Sequence, residues 1–215
     1  MKNETNPTMN LTTHDFGDGH GPVPAHRHSN GGGWVANTAS VSDTAIVFGY
    51  AKVFGYAKVF GYAKVFGYAK VSGYAKVSDT AIVFGNAIIS GDAWVSNNAN
   101  VSGDAKVFGY ANVFGYAKVF GYAIIYGNAR VSGDATVSGN AAVSNNANVS
   151  GDANVSGYAT VSGNAMVSGN AIVADGATVS GNAIVHGDAR VFGNANVSDA
   201  GIVSGSARVS GNATV

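Results

Sequence analysis

The chain has 215 residues, with 12 basic and 12 acidic side chains and no cysteine. A formal net charge of zero removes the broad electrostatic drive on which general nucleic-acid binders depend. Without cysteine there are no disulfides and no thiolate chemistry, and no apolar run is long enough to cross a bilayer or to form a secretory signal.

In chain order, Met1 to about Thr13 is polar and reads as disordered. His14 to Gly33 follows, reads as irregular backbone, and carries four of the five histidines. His14, His20, His26 and His28, with Asp15 or Asp18, are candidate ligands for a divalent metal, since imidazole serves most transition metals. Their spacing fits no zinc motif. The competing reading is a cap over the open edge of whatever the following repeat builds, with Trp34 packed near it. This divides the chain into a leader or cap, 1–33, and a repeat domain, 34–215.

From Val35 to Val215 the chain is one six-residue repeat, Val-x-x-x-Ala-x, without insertion or deletion. Every sixth residue from Val35 is Val, except Ile89 and Ile125; every sixth from Ala39 is Ala, except Gly201. Six excludes heptads and is a multiple of two, the side-chain period of a strand. In Ala63-Lys64-Val65-Phe66-Gly67-Tyr68, Ala63 and Val65 share one face while Lys64 and Phe66 share the other. Gly67-Tyr68 is then a corner, since glycine takes positive φ freely. Gly139-Asn140, Gly133-Asp134, Asn97-Asn98 and Asn145-Asn146 suit the same corner. Proline is absent from Val35 onward, as ladder hydrogen bonding requires. A short strand and a corner, repeated, make the walls of a prism with Val and Ala inside.

The sextets, such as Val137-Ser138-Gly139-Asn140-Ala141, resemble the hexapeptide repeat of left-handed parallel β-helix proteins, the trimeric LpxA-like superfamily. The leader is similar to those of uninterrupted phage and bacterial members. The resemblance implies an all-β fold: a single-stranded left-handed parallel β-helix, or β-solenoid, of about ten triangular coils with no loop insertions. Three sextets form each coil, residues 18 apart stack, and the prism is roughly 48 Å long at ~4.8 Å per coil. The handedness comes from the resemblance alone.

Three surface zones follow. Between Asp43 and Asp79 there is no acidic residue, and the walls carry Lys52, Lys58, Lys64, Lys70 and Lys76 with Phe48, Phe54, Phe60 and Phe66. Phe108, Phe114 and Phe120 partly repeat the pattern. Exposed aromatic columns of this kind suit self-association, a ladder that only stabilises stacked strands, or stacking plus charge on a nucleic acid or glycan. From Arg130 the surface turns to Ser, Asn, Asp and Thr. There Thr160, Thr178, Asn196 and Thr214 form a short column that resembles the hydroxyl ladders of some insect antifreeze proteins, so ice binding is a minor reading. The last coil, ending at Val215, reads as an open pairing edge suited to end-to-end contact.

Hexapeptide-repeat enzymes imply a third class of function, CoA-dependent acyl transfer in a trimer, with a histidine base and an extruded loop. Here no loop interrupts the repeat, and His186 is its one histidine. The family's gamma-type carbonic anhydrases imply three zinc-binding histidines, which these coils do not have. The reading adopted is a non-catalytic structural or interaction solenoid that displays side-chain columns and needs no cofactor. Its partners are copies of itself, as a trimer or end to end, and its place is the cytoplasm or a phage-like particle. The acyltransferase, with His186 as base and a CoA donor, is the alternative.

Overall fold

A computed structural model describes residues 12–215. Among these residues every element is a strand, and no helix is long and apolar enough to cross a membrane. The leader supplies β1 (Thr13–Asp15) and β2 (Pro22–Arg27). The first coil is β3 (Trp34–Ala36), β4 (Ser40–Val41) and β5 (Ile46–Val47). Two-residue strands then recur every sixth residue, from β6 (Lys52–Val53) to β32 (Arg208–Val209). The chain is thus a β-solenoid of about ten coils.

The strands stack into three parallel sheets, one per wall. β3 and β6 begin the first wall, β4 the second and β5 the third. The register never slips: Val35 pairs with Val53, Val53 with Val71, and so on in steps of 18 residues. Most sides send three backbone N–H groups to the next coil. Lys64, Phe66 and Tyr68 donate to the carbonyls of Ala81, Val83 and Gly85 at 2.9, 3.0 and 2.8 Å.

Alternation puts the Val and Ala rows inside, where residues from Ala45 to Val197 are wholly buried. Burying each valine stabilises by about 1.5–3 kcal/mol before the cost of ordering the backbone. The corners turn through a residue with positive φ, usually glycine. Asn97, Asn145, Asp79, Asp175 and Asp199 take the same conformation. The aspartates gain something glycine cannot: Asp79 Oδ2 accepts the Asn97 N–H (2.9 Å) and Asp175 Oδ2 that of Gly193 (3.1 Å) in the next coil. Corner backbones lie close, and a Cβ on Gly163 (φ +69) would stand 2.7 Å from the Gly181 carbonyl oxygen. Gly163→Val is therefore expected to cost about 1–3 kcal/mol and Gly163→Asn clearly less. Chemical denaturation of the two variants measures the difference.

The leader is more ordered than its composition indicates. Thr13 opens β1, and the stretch read as irregular backbone is a hairpin whose second strand pairs antiparallel with β3. Two prolines are accommodated because the hairpin runs past the end of β3. There Pro24 supplies only its carbonyl, to the Asn37 N–H at 2.9 Å. Met1 to Leu11, the rest of the stretch read as disordered, lies outside the described residues. Beyond the hairpin the chain crosses under the third wall. Gly33 donates to the Val47 carbonyl (2.8 Å), and the Val47 N–H reaches the Asn30 carbonyl (3.2 Å). The first-coil edges of two walls are thereby paired, while Ala39 and Val41 on the second wall stay partly covered.

Candidate functional site

The leader hairpin curls over the outer face of the first wall and forms a small second core. Phe16 is buried there with Ala25 and Ala36, packed against Phe54, Val23 and Trp34. The Phe16 and Phe54 rings stack at 5.0 Å, and Lys52 Nζ donates to the Asp15 carbonyl at 3.2 Å. Two residues assigned to an outer interaction surface, Phe54 and Lys52, are thus engaged within the chain.

Beside this core lies a groove of about 710 Å3 lined by His14, Arg27, Trp34, Gly49, Tyr50, Lys52, Tyr68 and Lys70. Register places Trp34, Lys52 and Lys70 on successive strands, with Arg27 opposite Trp34. The Arg27 guanidinium lies 4.1 Å from the Trp34 ring centre and donates to the Gly32 carbonyl at 2.8 Å. Cation–π contact and that hydrogen bond fix its position. His14 stacks on the same indole at 4.2 Å, and its Nε2 is buried with no hydrogen-bond partner among the described residues.

Burial of the ring, then the charges of Lys52 and Arg27, hold the His14 pKa below the ordinary 6.5, with Asp15 pulling the other way. The docked leader therefore prefers the neutral ring. That stability is present above pH 6.5 and is lost as pH falls below it, because the undocked imidazole takes up its proton first. Proteolysis of the 12–27 hairpin is expected to accelerate at about pH 5 relative to about pH 7.5. His14→Phe should remove this residue's share of the effect.

The other leader histidines point to separate partners. His26 Nδ1 is 2.9 Å from Asn37 Oδ1, and His28, buried, sets Nε2 3.1 Å from the Ala45 carbonyl. His20 stands exposed with Nδ1 3.5 Å from Asp18 Oδ1. Among the described residues no three His, Asp or Glu side chains converge on one point.

The aromatic columns differ from wall to wall. On the third wall Phe66 and Phe84 stack at 5.0 Å, Phe48 is tilted against Phe66 at 6.0 Å, and Phe120 is exposed two coils on. On the second, Phe60 is exposed, Ser78 and Ser96 follow in its column, and Phe114 lies under the Arg130 guanidinium at 5.4 Å. On the first, Phe108 stacks on Tyr126 at 5.4 Å. Lys58 and Lys64 project from the second and third walls.

Reading the corners as turn punctuation missed a second aromatic set. Tyr50 stacks on Tyr68 at 5.0 Å and 4°, and Tyr56 on Tyr74 at 5.3 Å and 9°. Their spacing of 18 was the available signal. Also missed was Trp94, which donates to Ser78 Oγ at 3.0 Å, and a corner ladder in which Asn128, Asn146, Asn164 and Asn182 are joined by amide hydrogen bonds of 3.0–3.2 Å.

Thr160, Thr178 and Asn196 are register neighbours, bridged on to Thr214, and Ala142 precedes them. His186 is exposed on the second wall, directly after β28 (Ile184–Val185), which lies between the strands bearing Met166 and Ile202.

Coils, ladders and displayed columns together define a β-solenoid repeat protein. Two stretches, residues 123–139 and 159–176, match the family model for the YdcK beta solenoid repeat. Comparison with curated proteins gave no match.

Proposed function

We propose that the chain is a non-catalytic scaffold that displays side-chain columns and associates with copies of itself through the third wall. The contrast between two walls carries this reading. On the first wall Phe54 is covered by Phe16 of the chain's own leader. On the third, Phe48, Phe66 and Phe84 have no such cover among the described residues, and they stand beside Ile46 and Ile82, with Lys64 between the two isoleucines. An exposed aromatic column of this kind is what a second copy covers. The resemblance to left-handed hexapeptide-repeat proteins supports the same state, since those assemble as trimers. A place in the cytoplasm or on a phage-like particle belongs to the same proposal.

Light scattering tests it. The full chain is expected to show a mass above the monomer, and a Phe48→Ser, Phe66→Ser, Phe84→Ser triple variant is expected to fall to the monomer. A wild-type monomer at high concentration would overturn the reading. The competing acyltransferase reading predicts that acetyl-CoA raises the melting temperature and that His186→Ala abolishes the rise. The scaffold reading expects no rise that depends on His186.

A further inference from the structure

The groove between leader and first wall has a chemistry that column display does not use. At about 710 Å3 it falls within the ~300–1,000 Å3 of small-molecule sites. Its lining carries three fixed cations, Arg27, Lys52 and Lys70, and no carboxylate among the described residues. Lys52 and Lys70 are direct register neighbours. Like charges so placed repel, and an anion between them would remove that penalty. The lining also offers a flat surface. Tyr50 uses one face to stack on Tyr68, yet it is 69% exposed, and its other face meets no ring among the described residues. Arg27 is held in place by Trp34 and the Gly32 carbonyl, so its charge is preorganised.

We propose that this groove binds a small dianion carrying a flat ring, the chemistry of a nucleoside monophosphate. The ring continues the Tyr68–Tyr50 stack on the open face of Tyr50. The phosphate lies against Lys52 and Lys70, with the Arg27 guanidinium completing the positive wall. Three cations favour a dianion over a single carboxylate. The groove lies within one chain and does not depend on self-association.

Calorimetry on the full chain with adenosine monophosphate tests this. Saturable binding is expected, weakening as salt is raised. Lys70→Ala and Tyr50→Ala are each expected to weaken it about tenfold, one decade in Kd. Lys76→Ala, the same residue type on the second wall, should leave it unchanged. These side chains point outward, so the variants should melt with the wild type. Inorganic phosphate alone and adenosine alone should each bind at least about tenfold more weakly. No saturable heat, or equal weakening by Lys76→Ala and Lys70→Ala, would overturn the site. Phosphate binding as tightly as the nucleotide would overturn the ring contact, and adenosine doing so would overturn the anion contact. Solution mass of the same variants separates this outcome from failure of the scaffold reading.

Discussion

Removing one residue, Gly139, is expected to damage the protein far more than removing the eighteen residues 139–156. The longer deletion excises one whole coil. Every side chain downstream keeps its face and its wall, and each column simply loses one member. The single deletion leaves five residues to span a side built for six. Either that side is torn from its neighbours, or the defect passes on and turns Val143 to Val209 outward. Each valine so turned gives up about 1.5–3 kcal/mol of burial. The short deletion should therefore yield unfolded or insoluble protein. The coil deletion should yield a soluble protein with a cooperative melt close to the wild type. A third variant lacking 139–144 separates core from surface. Its Val and Ala rows stay inside, but every later column moves to the next wall. Circular dichroism melts of the three variants read the order directly.

Ala129→Leu is expected to produce the largest loss of any conservative change. Ala129 is wholly buried, and its row is alanine at the coils on either side, Ala111 and Ala147. Backbone bonds of 2.9 Å, from Asn112 N–H to the Ala129 carbonyl and from Arg130 N–H to that of Ala147, fix the coil spacing. Three extra carbons have no space that the coils can open without breaking those ladders. Overpacking of this kind costs about 1–3 kcal/mol in cores that can relax, and this one relaxes little. The loss should reach or exceed the upper end of that range in urea denaturation. Ala142→Leu, an outward position on the first wall, should change stability by less than about 0.5 kcal/mol. Equal effects at the two positions would place the alanine row outside the core.

The core was legible because one requirement fixes it: a residue wholly inside a three-walled tube must be small at one row and branched at the other. That holds from Val47 to Val197 without exception. The corners were legible in part. Gly and Asn were expected there, but the left-handed aspartates at 79, 175 and 199 were not. At Asp79 and Asp175 the advantage is a carboxylate that accepts an N–H from the next coil, which no single sextet reveals.

The leader was least legible. Its small core joins Phe16 to Phe54, far apart in sequence and outside any period, so nothing local announced it. The candidate site shared that fate. Lys52 and Lys70 were visible as a column. That Arg27, Trp34 and His14 would be folded against them depended on the hairpin's curl. The tyrosines were visible too, but corner positions read first as turns, and only register shows Tyr50 lying on Tyr68.

The alternation of faces can be measured directly, because the chain has no cysteine of its own. Single cysteines at Ala57, Lys58, Val59 and Phe60 would sample both faces of one side of the second wall. A thiol reagent should label Lys58→Cys and Phe60→Cys at the rate of a free thiol, and leave Ala57→Cys and Val59→Cys unlabelled until denaturant is added. Equal labelling at all four positions, or fast labelling at Val59→Cys alone, would contradict a tube lined by valine and alanine.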